Sequence, residues 1–575
     1  MKKIFFAFIF SIFLINILNA QDLPRYLTEE EKVLMKNYTP PASNPKDINP
    51  PPTPVRTMAE WEELQGILIT WTSFTSILSQ MVSYAQTEGL VFIVCTDSNS
   101  VKTYLTGQGV PLVNLRFLIT SFNSIWCRDY GPWCVYSGVS DSLKFIDWIY
   151  NRPRPQDDVI PAFLANYLSL PIYQTTVAPN NLIATGGNFM VDGNHTSFSS
   201  KLILNENPTH TEAAIDTIVN KYMGIKLNRY VFMETLPYDG IHHIDMHMKL
   251  LDEETLLVGQ YPIGVADGPQ IELNLQYILT NYQTCYGRPY RVVRIPMPPQ
   301  NGNYPPTGDY YTYTNSTFVN KTLIVPIYGV SQDTTALRIY RENLPGYKVV
   351  GINCTAIIPS LGAIHCINKE IGVLNPIFIS HAFLRNTSNT TVPYEVKAYV
   401  KSKGSIASVK MFWTTDTLAG FTQVNMSQAS DTFRAYIPNQ PLETKVYYYI
   451  TANSNNGRTV SKPLTAPVGF YKFLVTNTTG ITANENKLYY YTLYQNYPNP
   501  FNPSTQISYY LEKKDFVSLK IFDVTGREIQ KIVNGIQSEG IHTINFDGRN
   551  LPSGVYFYTI ESNGWKDTKR MLMIK

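Results

Sequence analysis

A histidine, two aspartates and a cysteine in this sequence form a set that could act on a planar cation. Asp129 lies in WCRDYGPW, His243 and Asp245 lie in HHID, and Cys366 lies in GAIHC. Two carboxylates can grip a guanidinium group through paired charge-assisted hydrogen bonds. The central carbon of the bound group would then face a thiolate, while a histidine protonates the departing nitrogen and later activates water.

Two of these residues also have simpler explanations. An aspartate beside an arginine, as in Arg128–Asp129, is more often part of a structural ion pair than catalytic. A single cysteine in an apolar stretch, such as Cys366, is usually a small buried residue of the core. Each motif taken alone therefore leaves both a structural and a chemical interpretation open.

The stretch IHHIDMHMK (241–249) also allows a metal-binding interpretation. If it is a β-strand, His243, Asp245 and His247 lie on one face, because strand side chains alternate. Histidine and carboxylate at alternating positions can bind zinc. No clear further ligand cluster accompanies the three, so we predict no metal and expect His247 to be structural.

Aliphatic segments of similar shape recur in the middle of the chain and would position these residues. GILITWT (66–72), KLILNEN (201–207), TLLVGQY (255–261) and TLIVPIY (322–328) each predict a buried strand. Their period of roughly 55 to 70 residues, or about twice that, is typical of a ring of similar β/α units. Polar residues just before these strands would then converge on one centre.

Composition and linkers predict six segments and limit the partners. They are a signal peptide (1–20), a proline-rich linker (21–57), a mixed α/β catalytic region (58–385), an immunoglobulin-like β-sandwich (386–475), a polar linker (476–492) and a small β-rich module (493–575). Lys and Arg number 47 against 44 Asp and Glu, which gives no argument for nucleic acid or anionic membrane as partner. No second long apolar run follows the signal peptide, so we predict no stable membrane span.

Seven motifs in the region from about residue 58 to residue 379 resemble the agmatine deiminase and bacterial peptidylarginine deiminase family. They are AEWEELQGILITW, WCRDYGPW, YNRPRPQDD, TGGNFMVDG, HHID, YTNS…VNKTLIVPIYG and GAIHC. The resemblance implies a five-bladed pentein-type α/β propeller that needs no cofactor. It also implies Asp129 and Asp245 as guanidinium clamps, His243 as general acid/base, Cys366 as nucleophile and Asn315 as a further site residue.

Within that family, YNRPRP makes the chain most similar to secreted bacterial peptidylarginine deiminases. The resemblance implies that Arg152 and Arg154 bind the carboxylate of a C-terminal arginine, and two guanidinium groups so close are a good carboxylate receptor. The alternative is that the prolines only stiffen a surface loop whose arginines are solvated. We also assign Trp126 and Ile241 to substrate binding.

The stretch NYPNPFNPST…LPSGVYFYTIESNG…KRMLMIK resembles the C-terminal sorting domain of type IX secretion substrates. It implies the type IX machinery as a partner and export through periplasm and outer membrane to the cell surface or medium. The whole chain is thus expected to be a secreted hydrolase that converts the guanidinium of arginine in peptides or proteins to citrulline and ammonia, through a thiouronium on cysteine.

Three departures from the family pattern leave the substrate open. Gly240 stands where close relatives have a bulky aromatic, DMHMK replaces a tryptophan-containing stretch, and SLGAIHC lacks a double glycine. Agmatine, free arginine or another small guanidine is therefore the main alternative substrate. A metallohydrolase and a non-catalytic surface adhesin are the alternatives of other classes.

Overall fold

A computed structural model describes residues 23–41, 48–262, 264–477, 491–494, 496, 498–511, 514–538, 540–562 and 565–575. The predicted signal peptide and most of the predicted polar linker lie outside these ranges. Within them, no helix is both long enough and apolar enough to cross a membrane.

Five small sheets form the α/β region, and each combines antiparallel with parallel pairing. In the first sheet the strand order is Val55–Thr57, Trp133–Ser137, Ser142–Tyr150 and Ile172–Thr175, and Ile183–Ala184 also pairs with Ser142–Tyr150. The second sheet consists of Tyr230–Met233, Ser197–Ser200 and Met190–Val191, the third of Met248–Asp252, Thr255–Gln260 and Arg291–Pro296, and the fourth of Thr317–Val319, Thr322–Ile327 and Lys348–Asn353. The fifth sheet consists of Lys369–Gly372, Leu64–Thr70, Leu90–Cys95 and Leu115–Ile119. The last sheet pairs the end of this region with its beginning.

Helices connect and cover these sheets. The α-helices are Glu29–Met35, Thr75–Ala85, Ser98–Gly107, Cys127–Tyr130, Pro155–Asp158, Ile160–Leu168, Leu202–Glu206, Glu212–Met223, Gly268–Asn281 and Gln332–Asn343, and the 3₁₀ turns are Gly186–Asn188, Ile244–Met246, Ile358–Ser360 and His365–Ile367. In the helix Glu212–Met223 the local sequence sets both ends, because Thr211 caps the first turn and Gly224 ends the helix at a φ of 69°.

Three of the four repeated aliphatic segments are the strands that the sequence predicts. They are Leu64–Thr70, Thr255–Gln260 and Thr322–Ile327. The strand prediction for KLILNEN (201–207) is wrong, because Leu202–Glu206 is a helix. Leucine, asparagine and glutamate are compatible with a helix, and the Nδ2 of Asn207 donates to the Ile203 carbonyl at 2.7 Å, which ends the turn.

The strand prediction for IHHIDMHMK is also wrong at the residues of interest. His243 precedes a 3₁₀ turn, Ile244–Met246, and the strand begins only at Met248. The preceding His242 has a φ of 57°, which turns the chain before the motif. His243 and Asp245 therefore do not share a strand face, and their side chains converge through a turn instead.

The remainder of the described chain is antiparallel β-structure. Residues 377–475 form two sheets, Ile377–Ser380, Tyr394–Ser402, Thr432–Ile437 and Ser427–Ala429; and Thr422–Asn425, Ile406–Thr414, Thr444–Ser454 and Thr459–Lys462, with Tyr471–Val475 beside Thr444–Ser454. Both contribute to one apolar cluster that includes Val396, Met411 and Ile450. The C-terminal sheets are Tyr491–Leu493, Ser504–Leu511 and Gly540–Asp547; and Glu528–Gln537, Asp515–Asp523, Gly554–Ser562 and Trp565–Met573.

Candidate active site

Asp129 and Asp245 face one guanidinium group, which belongs to Arg25 of the same chain. Asp129 accepts hydrogen bonds from Arg25 Nε at 2.8 Å and Nη2 at 2.9 Å. Asp245 accepts from Nη1 at 3.2 Å and Nη2 at 3.1 Å. Arg25 has no exposed surface, so the two carboxylates and their surroundings enclose its guanidinium completely. The two aspartates thus converge on one guanidinium.

The neighbouring Arg128 does not pair with Asp129 but with another carboxylate. Its Nη1 lies 2.5 Å from Glu370, and its Nε donates to the His365 carbonyl at 3.2 Å. These contacts anchor the four-residue helix Cys127–Tyr130 and leave the Asp129 carboxylate directed at Arg25. Arg128 therefore belongs to a structural ion pair with Glu370, and Asp129 is not its partner.

Gly187, in the motif TGGN, makes room for the guanidinium. Its backbone N–H donates to Asp129 Oδ1 at 3.0 Å. A Cβ at this position would stand 1.7 Å from Arg25 Nη2 and 2.8 Å from His243 Nδ1. Only glycine therefore allows the backbone to approach the cation so closely. The sequence analysis quoted this motif without assigning Gly187 to the site, although a double glycine between strand segments was the available signal.

The thiol of Cys366 lies against the same guanidinium. Its Sγ is 2.7 Å from Arg25 Nη1, 3.3 Å from Asn315 Oδ1 and 3.7 Å from Asp245 Oδ2. Burial raises the pKa of the Cys366 thiol well above its ordinary value, and the nearby Arg25 charge only partly opposes this. The group is thus a thiol at neutral pH, placed beside the cation.

His243 lies near the Nη2 atom of Arg25 and is fully buried. Its Nε2 lies 3.1 Å from Thr185 Oγ1, and its Nδ1 lies 3.6 Å from Asp129 Oδ1. Burial, reinforced by the Arg25 charge, lowers the pKa of His243 to about 3. The imidazole is therefore neutral at neutral pH while the Arg25 cation fills the clamp.

A chain of polar contacts behind Asp245 fixes its orientation. His365 Nδ1 lies 2.9 Å from Asp245 Oδ2, and His365 Nε2 lies 2.6 Å from Glu60 Oε1. Glu60 also accepts from Lys249 Nζ at 2.6 Å. Although burial opposes it, the Arg25 charge together with His365 holds the pKa of Asp245 below its usual range. Sequence reasoning missed Glu60 and His365, because their partners lie far away along the chain.

Asn315 joins the nucleophile to this network. Its Oδ1 accepts from the backbone N–H of His365 at 3.0 Å, and its Nδ2 donates to the Asp245 carbonyl at 3.4 Å. It thus positions the turn His365–Ile367 that carries Cys366. The structure therefore brings together the predicted set of Cys, His, two Asp and Asn.

Arg152 and Arg154 are buried beside the clamp, so the interpretation as solvated loop residues is wrong. Arg152 Nε donates to the Arg25 carbonyl at 3.0 Å. Arg154 Nε and Nη2 donate to the two carboxylate oxygens of Glu31 at 2.7 and 3.1 Å. A carboxylate thus already sits on Arg154, as the sequence analysis expects of a substrate carboxylate.

The remaining predicted residues line or flank the same region. Trp126 is fully buried, and its Nε1 donates to the Leu23 carbonyl at 2.8 Å. Ile241 is buried in the core, where its N–H donates to Asp239 at 3.0 Å. His247 is buried with both ring nitrogens lacking a hydrogen-bond partner among the described residues. No group of three His, Cys, Asp or Glu in those ranges could hold a metal ion.

Residues 56–371, more than half of the chain, match the family model described as Porphyromonas-type peptidyl-arginine deiminase. The chain belongs to this family. Its members are hydrolases that act on C–N bonds of guanidine groups. Residues 495–575 match a secretion system C-terminal sorting domain, which directs the chain through type IX secretion to the cell surface or extracellular space.

Relatives of the catalytic region include agmatine deiminases. A protein of Mycoplasma mycoides named "Putative agmatine deiminase" is 23% identical over 288 residues, covering 45% of this chain and 77% of its own. A Legionella pneumophila protein of the same name is 24% identical over 287 residues, covering 48% and 78%. The solved structure of C. jejuni agmatine deiminase is similar with a TM-score of 0.46 at 19% identity, and covers 55% of this chain and 96% of its own.

Proposed function

We propose that the protein is a secreted peptidylarginine deiminase that converts a C-terminal arginine to citrulline with release of ammonia. One observation carries the proposal: two buried carboxylates grip a guanidinium whose Nη1 lies 2.7 Å from the thiol of Cys366. A substrate guanidinium held in the same clamp, with its face turned toward sulfur, would be open to nucleophilic attack. The five small sheets are consistent with a five-bladed propeller, and the two sheets of residues 377–475 with an immunoglobulin-like sandwich.

The first half of the reaction forms a covalent intermediate. Sulfur of Cys366, which lies beside Nη1, attacks the guanidinium carbon, and the thiol proton passes through the bound guanidinium to His243 near Nη2. His243 then delivers this proton to a terminal nitrogen, the C–N bond breaks and ammonia leaves. The product is a thiouronium cation on sulfur, so the positive charge held by Asp129 and Asp245 is unchanged through the step.

The leaving nitrogen is the one at the position of Arg25 Nη2. A Cβ added to Gly187 would stand 1.7 Å from that nitrogen and 2.8 Å from His243 Nδ1. The two nitrogens are therefore close to each other. In the second half, His243 takes a proton from water, and the resulting hydroxide attacks the thiouronium carbon. The C–S bond breaks, the thiol is restored, the ureido product forms and ammonia takes up the remaining proton.

Arg152 and Arg154 favour an arginine that carries a free carboxylate. Their guanidinium groups lie beside the main chain of Arg25, one on its carbonyl oxygen and the other on a carboxylate. A substrate with a C-terminal arginine would present both carboxylate oxygens at this position. Agmatine, which gives the matched relatives their name, has no carboxylate and would leave both arginines without a ligand, so it is the second candidate substrate.

The test is a comparison of substrates. Purified protein is incubated with a peptide ending in arginine, the same peptide with its C-terminus amidated, free arginine and agmatine, and ureido product and ammonia are measured together. We expect the highest kcat/KM for the peptide with the free carboxylate. A higher kcat/KM for agmatine or for the amidated peptide would show that the proposed substrate is wrong. Loss of activity toward all four substrates after addition of a metal chelator would favour the metallohydrolase.

A further inference from the structure

The segment before the catalytic region occupies every substrate-recognition element of the proposed site. Arg25 fills the clamp, and its carbonyl accepts from Arg152. Six residues later, Glu31 supplies the carboxylate on Arg154. The segment thus presents a guanidinium and a carboxylate together, which are the two charged groups of a C-terminal arginine.

Local sequence fixes this presentation. Thr28 and Glu31 form a capping box at the helix Glu29–Met35, with Glu31 N–H donating to Thr28 Oγ1 at 3.2 Å and Thr28 N–H donating to Glu31 Oε2 at 3.0 Å. The box places the Glu31 carboxylate where it can serve both the cap and Arg154. Arg25 N–H adds a main-chain hydrogen bond to the Ser360 carbonyl at 3.1 Å.

Outside these contacts the segment is loosely packed. Val33 and Leu34 are 64% and 55% exposed, and Tyr26 is 41% exposed. Little apolar burial therefore holds the helix, and the charged contacts to the site supply most of its attachment. A segment bound in this manner can leave when a competing ligand arrives or when its arginine is removed.

The contact between Arg25 and the thiol is not a reactive one. Nη1 donates a hydrogen bond to Cys366 Sγ at 2.7 Å, which places sulfur toward the edge of the guanidinium. Attack requires sulfur over the face of the central carbon, because the accepting orbital stands perpendicular to the guanidinium plane. Arg25 is therefore held as an occupant rather than in position to react.

Resting on the proposed function, we infer that the segment comprising residues 23–35 is an autoinhibitory pseudosubstrate that competes with arginine substrates for the clamp. A short tether gives an effective concentration in the millimolar range, and enzymes commonly have KM values of about 1 μM to 1 mM. For a typical intrinsic affinity, the population with the segment bound in the clamp is then about tenfold or more larger than the population with the segment released. The apparent KM rises by the same factor, while kcat at saturating substrate is unchanged.

The experiment compares Arg25→Gln with a matched control, Lys32→Gln. Lys32 lies on the same helix, and within the described part of the chain its side chain makes only a surface ion pair with Glu29, so its substitution removes the same charge without touching the site. In the full chain, Arg25→Gln should lower the KM for agmatine and for a peptide ending in arginine by about tenfold or more. Lys32→Gln should keep the wild-type KM. Glu31→Gln should lower KM as well, by a smaller factor.

A binding measurement separates this inference from the proposed function. Agmatine is titrated calorimetrically into Cys366→Ala and into Cys366→Ala with Arg25→Gln, neither of which needs turnover. Tighter binding to the double variant by about tenfold supports the pseudosubstrate even if no ureido product is ever found. Equal binding, an equal KM in active variants, or mass-spectrometric conversion of Arg25 to citrulline in the wild-type protein would overturn it. If neither variant binds agmatine or a peptide ending in arginine, both proposals are overturned.

Discussion

Gly187→Ala should strongly weaken guanidinium binding, because its methyl group would enter the space of the clamped cation and press on the neighbouring His243 and Asp129 side chains. The added Cβ would stand 1.7 Å from the clamped nitrogen Nη2, whereas nonbonded heavy atoms need about 3.5 Å. The cation must therefore move by well over 1 Å. That movement breaks the hydrogen bonds from Nη2 to Asp129 at 2.9 Å and to Asp245 at 3.1 Å.

The expected magnitude follows from those two contacts. Each charge-assisted hydrogen bond contributes about 1.5–3 kcal/mol, so losing both costs about 3–6 kcal/mol. At 1.36 kcal/mol for each factor of ten, kcat/KM should fall by about two to four orders of magnitude. The backbone hydrogen bond from Gly187 N–H to Asp129 can remain, because alanine keeps its N–H.

The assay is ureido product formation from agmatine and from a peptide ending in arginine. Gly107→Ala is the matched control, because a Cβ there meets nothing within 4 Å. We expect the control to retain wild-type kcat/KM, and the melting temperatures of both variants should show that they are folded. A folded Gly187→Ala protein with kcat/KM within about threefold of the control, well below the loss calculated from the broken hydrogen bonds, would refute the assigned clamp geometry.

Four further predictions test other parts of the molecule. Cys366→Ala should reduce turnover at least about a thousandfold while the protein stays folded, and substantial residual turnover would reject it as nucleophile. Arg152→Ala with Arg154→Ala should lower the ratio of kcat/KM for a C-terminal arginine peptide over agmatine by about ten- to a hundredfold, and an unchanged ratio would return both residues to a structural role. Burial lowers the pKa of His247 to about 4, so between about pH 6.5 and 4 its imidazole is neutral in the folded protein but binds a proton in the unfolded chain, and the free energy of unfolding should fall as the pH falls through that window. His247→Phe should remove up to about 3 kcal/mol of this pH dependence, measured by urea denaturation at each pH. An unaltered pH dependence would contradict this. Removing the C-terminal sorting domain should leave the purified enzyme active but prevent its export, and normal export of the truncated chain would contradict this.

The residues that meet around the Arg25 guanidinium could be predicted because they stand in short, recognisable motifs. Asp129, Asp245, His243 and Cys366 are each recognisable in the sequence and meet around one guanidinium. The conformation of the motif was harder to predict. HHID alternates as a strand does, yet the positive φ of His242 starts a 3₁₀ turn that propensity gives no means to foresee.

The groups that support the site could not be predicted, because the contacts that define them span long stretches of chain. Glu60 and His365 are 305 residues apart in the chain, and the sequence around each residue does not indicate that they are in contact. The role of Arg25 was hidden for the same reason, since it lies in a stretch that composition marks only as a proline-rich linker. The aliphatic repeat predicted three strands and missed one helix, because three aliphatic residues in a row suit either structure.

The most direct measurement of the central claim is mass spectrometry of a peptide with a C-terminal arginine after incubation with the purified full chain and with its Arg25→Gln variant. The proposal predicts exchange of one guanidinium nitrogen for oxygen, one ammonia released for each ureido group, and loss of both products in Cys366→Ala. If neither protein converts this peptide, free arginine or agmatine, the residues gathered around Cys366 do not form a working deiminase site.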